Sequence, residues 1–146
     1  MHVVAFAPAR RVDVLDVGGV RAEFPVTGFR VDNFPEQITL PLVLAVYTDK
    51  GIDYDPRRYI VARSPSGERL SALECTWHWP DVPGQPVKFW VSTHYLPLVA
   101  TSPGVYTIGL YDRPDASETD QIFPLPVARA VNPLVSAPPQ QPPVGL

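Results

Sequence analysis

The chain has 146 residues, of which 45% are hydrophobic and only 18% charged, with a net charge of −3 and a pI near 5.5. That suits one domain with a sizeable core, and it excludes the broad basic footprint of a nucleic-acid binder. The single cysteine, Cys75, excludes an internal disulfide, and 19 prolines spread along the chain leave no window for a long helix. Strands of about eight residues with prolines at their ends fit the same spacing, so the expected class is all-β.

The opening Met-His-Val-Val-Ala-Phe-Ala-Pro lacks a charged leader region. Val3 to Ala7 therefore reads as a first strand, and the expected compartment is the cytoplasm. No apolar run reaches the length of a membrane span. Arg11 to Leu15 alternates, and Asp16-Val17-Gly18-Gly19 turns the chain. Val20, Ala22, Phe24 and Val26 share one phase of a strand that Pro25 places near an edge, with a kink at Gly28. Thr39 to Tyr47 is apolar in both phases. Such a strand is covered on both sides, or one side is an interface.

Asp49-Lys50-Gly51 and Asp53 to Pro56 form a loop. Arg57 to Ser64 follows as a strand, with Val61 expected inward, and Ser64-Pro65-Ser66-Gly67 turns the chain again. Glu68 to Trp79 places Leu73, Cys75, Trp77 and Trp79 in one phase. After a stiff loop over Pro80 to Pro86, Val87, Phe89, Val91 and Tyr95 alternate with Lys88, Trp90, Ser92 and His94. The first set is expected inward, and Trp90 outward.

Pro103-Gly104 opens the strand around which the chain is organised. Tyr106, Ile108 and Leu110 share one face of it, and the Tyr106 hydroxyl is expected to tie down the loop before it, as a corner tyrosine does. Asp112 to Thr119 is a polar hairpin loop, and Asp120 to Val127 a closing strand. Its outward Pro124 and Pro126 argue for an edge. About seven to nine strands result, with turn signals roughly every ten residues. The expected architecture is a single antiparallel β-sandwich with an immunoglobulin-like Greek key over residues 1–130, followed by a flexible Pro/Gln-rich tail over 131–146. The expected inward set is Phe24, Leu42, Leu44, Val61, Leu73, Cys75, Trp77, Phe89, Val91, Tyr106, Ile108, Leu110, Phe123 and Leu125.

Chemistry-bearing residues are sparse. His2, His78 and His94 lack metal-ligand spacing, and there is no second cysteine. Asp49, Asp53 and Asp55 share a loop but lack the glycine and distal glutamate of a calcium loop, so they read as a solvated tip. No nucleophile elbow or Gly-rich phosphate loop occurs. Pro139-Gln140-Gln141-Pro142 is a PxxP unit without a flanking cation, which reads as plain tail. No catalytic residue, metal or cofactor is expected.

What remains is an apolar patch, with Val43, Tyr47, Trp90 and His94 as the expected binding residues. The expected function is a non-enzymatic protein-interaction or assembly module acting through a sheet face or an edge strand. Its partner is another protein or a second copy, with no nucleic acid and no membrane. The alternative is a small-ligand or carbohydrate-binding β-sandwich that uses exposed aromatics.

Several turn motifs occur in a fixed order: Leu15-Asp16-Val17-Gly18-Gly19-Val20, Gly28-Phe29, Phe34-Pro35, the apolar Leu40-to-Val46 run, Ser64-Pro65-Ser66-Gly67-Glu68, Pro103-Gly104-Val105-Tyr106 and the closing Pro-Leu-Pro-Val. This pattern resembles an uncharacterised family of small bacterial β-sandwich proteins, hypothetical proteins carrying a domain of unknown function. The resemblance covers about residues 3 to 127. It implies a fold and a cytoplasmic setting, but no activity, and it carries over no functional residue.

Overall fold

Two-residue periodicity is realised as ten strands: β1 (His2–Pro8), β2 (Arg11–Leu15), β3 (Gly19–Glu23), β4 (Phe29–Val31), β5 (Glu36–Asp49), β6 (Arg57–Arg63), β7 (Arg69–Thr76), β8 (Val87–Ala100), β9 (Gly104–Tyr111) and β10 (Gln121–Arg129). The computed structural model describes residues 1–16, 19–49 and 55–131, and among these there is no helix. The protein is all-β, as the proline spacing requires.

The strands form three sheets. One has the order β1-β5-β8 and is antiparallel throughout. The second has the order β4-β10-β9-β6-β7, with β4 running parallel to β10 and the other pairs antiparallel. The third is the β2–β3 hairpin, which lies close to β5 and β8. β5 and β8 pair over all 14 residues without a shift, from Glu36 opposite Ala100 to Asp49 opposite Val87.

One core joins the two larger sheets. Leu40, Leu42, Leu44 and Val46 of β5 and Leu96, Leu98 and Ala100 of β8 meet Ile60 and Ala62 of β6, Tyr106, Ile108 and Leu110 of β9, and Leu125 and Val127 of β10. Each fully buried leucine or isoleucine contributes about 1.5–3 kcal/mol of transfer free energy, set against the entropy of ordering the chain. Trp77 and Trp79 lie in the same core, with rings edge to face at 5.7 Å.

The corner expected at Tyr106 is present. Its ring is fully buried, its hydroxyl donates to the Ser102 carbonyl at 2.7 Å, and it accepts from the N–H groups of Thr101 and Ser102 at 3.2 and 3.3 Å. Gly104 starts the same strand with φ +150°, where a Cβ would lie 2.6 Å from Pro65 Cγ. Glycine lets the start of β9 close onto the turn after β6.

The described strands number ten against the expected seven to nine, and the parallel β4–β10 pair departs from the expected antiparallel arrangement, because β4 is a short segment added beside the last strand. Four further expectations need correction. The phase of β8 is inverted: Phe89 and Val91 are 58% and 43% exposed, while Trp90 packs against the core. The strand runs on to Ala100, and Leu96, Leu98 and Ala100 fix the even positions inward. β6 is inverted too. Ile60 and Ala62 enter the core, and Val61 is buried on the opposite face, opposite Gly109. Phe24 is 47% exposed, because β3 ends at Glu23 and leaves it outside any strand. β10 lies between β9 and β4 and is not a full edge, but β4 covers only Val127–Arg129, so Pro124 and Pro126 have β9 alone beside them. Of the expected tail, residues 132–146 lie outside the described residues, and so do Gly18, Asp53 and the PxxP unit.

Candidate functional site

The residues singled out for binding separate onto two faces of the β1-β5-β8 sheet. In β5 the even positions point into the core, so the odd ones, Val43, Ala45 and Tyr47, point away from it. Tyr47 lies opposite His2 of β1 and Phe89 of β8. The His2 and Tyr47 rings stack at 4.7 Å with 18° between planes, and the Tyr47 and Phe89 rings are tilted at 5.7 Å. Three strands thus contribute one ring each to a continuous row on the outer face. His2 is also held 3.7 Å from an Asp49 carboxylate oxygen. Ala45 and the exposed Val91 form the next rung.

Val43 shares this face but is only 4% exposed. Its rung also holds Ala7 and Thr93. The β2–β3 hairpin lies close to both β5 and β8. The free part is the aromatic row and the exposed side chains of β8, Phe89, Val91, Tyr95 and Val99.

Trp90 and His94 are not on this face. Trp90 lies opposite Val46 and packs on the core. His94 points toward β7, with Nδ1 3.7 Å from the Cys75 sulfur and Nε2 2.8 Å from the Ser92 hydroxyl. Burial lowers the His94 pKa below the ordinary imidazole value. Burial, and then the Glu74 carboxylate, raises the Cys75 thiol to about 11. At neutral pH the pair is therefore thiol and neutral imidazole. In the neutral ring one nitrogen donates and the other accepts, so the Cys75 and Ser92 contacts take complementary roles. The neutral pair is the reverse of the thiolate–imidazolium arrangement of an activated nucleophile.

The other polar candidates stay apart. His78 pairs with Asp55 at 2.6 Å, on the surface. Among the described residues no three His, Cys, Asp or Glu side chains come together in a metal-holding group. An open depression of about 800 Å³ borders the His2 and Tyr47 end of the aromatic row. Its wall includes Arg58, which is paired with Asp112 at 3.1 Å, and the acidic side chains Glu118 and Asp120.

Of the aromatic row, His2 and Phe89 are the residues that sequence reasoning missed as binding residues. Read as one 14-residue strand, β8 shows Trp90, Leu96 and Leu98 in a single phase, which puts Phe89 in the other. Compared with protein-family models and with curated proteins, the chain matches none.

Proposed function

We propose that the chain is an immunoglobulin-like β-sandwich that works as a non-enzymatic interaction module through the outer face of its β1-β5-β8 sheet. The strand orders support the fold reading. A β1-β5-β8 sheet opposite β10-β9-β6-β7 follows the division of an immunoglobulin domain into its A-B-E and G-F-C-C′ strands. The corner tyrosine then falls on the strand that follows the sheet change, where such domains carry it. Kinship with the small bacterial β-sandwich proteins of unknown function and a cytoplasmic setting belong to the same proposal.

The observation that carries the functional reading is the row His2, Tyr47 and Phe89. Such cross-strand pairs add to the sheet's own stability, but a row of three rings in contact that ends on the exposed Phe89 also makes an apolar surface of the kind that marks partner sites. The same flat row favours one second reading, a ligand with a ring face, such as a sugar, lying on Tyr47 and Phe89.

The test is the double variant Tyr47→Ser, Phe89→Ser. Self-association in sedimentation velocity is expected to weaken at least tenfold with the melting temperature little changed. The ring-ligand reading expects instead saturable quenching of tyrosine fluorescence by soluble oligosaccharides, lost in the same variant. A protein whose association and ligand responses are indifferent to both substitutions refutes the assignment of this face.

A further inference from the structure

We propose that the partner is a second copy of this chain, joined edge to edge through β8 so that two three-stranded sheets become one six-stranded sheet. This rests on the outer-face reading above and narrows it to one occupant and one geometry.

The direction of the backbone identifies the free edge. The Pro41 carbonyl accepts from the N–H of Ala9, just past the end of β1. Odd residues of β5 therefore aim their backbone groups at β1, and even ones at β8. Even residues of β5 lie opposite even residues of β8, as Leu42 does His94. Hence Phe89, Val91, Thr93, Tyr95, Pro97 and Val99 aim their backbone groups away from β5. No strand pairs with them among the described residues. Pro97, which has no N–H to offer, sits on this unpaired side, as a proline in an edge strand must.

The other edges are better protected. β4 has three residues, β1 has seven and a register shift, and β7 has eight, with Arg69 and Glu74 on it and a register shift. β8 has 14 residues and one charge, Lys88, near its start and engaged with Asp81 at 2.6 Å. Its outward-aiming positions from Phe89 to Val99 carry no charge, and a long edge of that kind is one that folds normally guard.

The side chains fit a twofold axis at Thr93. Antiparallel pairing about that point sets Val91 opposite Tyr95 of the other copy, twice, an aromatic and β-branched pairing of the favourable kind. Phe89 then meets Pro97 and Val87 meets Val99, so the residue lacking an amide removes one bond near each end of the new ladder. Val91, Tyr95 and Phe89 are 43%, 57% and 58% exposed, on the same face as Tyr47. The two aromatics of each copy still expose roughly 100 Å² apiece. Two copies therefore bring roughly 400 Å² from these rings, before the valines and the backbone are counted. That falls short of the roughly 1,200 Å² of a standard interface, so the backbone ladder has to supply the rest and the dimer is weak and reversible.

Sedimentation velocity on the full chain across the micromolar range should show a reversible dimer. Val91→Lys and Tyr95→Lys, at exposed outward positions, should each weaken it at least tenfold without moving the far-ultraviolet circular dichroism. In a Cys75→Ala background, Val91→Cys mixed with Tyr95→Cys should cross-link on oxidation, and either alone should not. A full chain that is monomeric at high micromolar concentration overturns the proposal. So does a dimer that ignores both lysines. If Tyr47→Ser disrupts a dimer that Val91→Lys leaves intact, the outer face stands and the edge pairing falls. If a monomer still binds a ring ligand through Tyr47, self-pairing falls and the aromatic row survives.

Discussion

Removing only the hydroxyl of Tyr106 tests the corner that closes β8 onto β9. The ring is fully buried, and the oxygen makes three contacts to the backbone of Thr101 and Ser102. The donated bond at 2.7 Å is the short one; the two accepted bonds are longer than 3 Å. Tyr106→Phe leaves the ring in place and orphans a carbonyl and two N–H groups that are only partly buried, so water can reach some of them. A cost of about 1–2 kcal/mol follows. Tyr106→Ala also opens a cavity in the core and should cost about 3–5 kcal/mol, a large share of a stability that is itself only about 5–15 kcal/mol. For a chain of this size the phenylalanine variant should melt roughly 3–10 °C lower. Urea unfolding followed by tryptophan fluorescence gives the difference directly, with an unchanged slope if the denatured state is unaffected. Ser102→Ala is the control. All three contacts are to backbone groups, so it should be nearly neutral. A Tyr106→Phe protein as stable as the parent, or a Ser102→Ala protein as damaged as Tyr106→Phe, refutes the reasoning.

Gly109 carries a second prediction, because a Cβ there would run into the Tyr111 ring, which covers it and is 3% exposed. Gly109→Ala should cost about 1–3 kcal/mol and should become nearly harmless once Tyr111→Ala has removed the ring; additive losses in the double-mutant cycle would contradict this. A third prediction concerns pH. His94 has a folded pKa below its unfolded value, so the unfolded chain takes up the proton first and stability falls as pH drops below about 6.5. Cys75 has a raised pKa, so its contribution holds below 9.0 and is lost as pH rises toward about 11. Urea midpoints across pH should lose the acid limb in His94→Leu and the alkaline limb in Cys75→Ala; limbs that persist in both variants assign them to other groups. A fourth follows from the same burial: the Cys75 thiol should react with a disulfide reagent only at the rate of opening of the fold, and prompt modification of the native protein at neutral pH would be the contrary result.

Composition and local pattern settled the class of this protein. Prolines at short intervals forbid helices whatever the tertiary context, because each removes a donor and fixes φ. The turn chemistry of Ser64 to Gly67 and of Pro103-Gly104, and the run Tyr106, Ile108, Leu110, are equally local, and they fold as they read. The two-faced apolar character of β5 was legible too, and with it the outward placement of Tyr47. Alternation, however, says that two faces differ without saying which one is inside. In β8 both phases carry large apolar residues, Phe89, Val91 and Tyr95 against Trp90, Leu96 and Leu98. In β6 both phases are apolar as well, with Val61 against Ile60 and Ala62. Only the register against the neighbouring strands breaks that tie, since a slip of one residue turns every side chain over. The 14-residue ladder with β5 turned Trp90 and His94 inward and Phe89 outward, and Val43 is buried although it points away from the core. The stack of His2 on Tyr47 and the meeting of His94 with Cys75 are likewise long-range contacts, which sheet pairing and packing decide and no stretch of sequence contains.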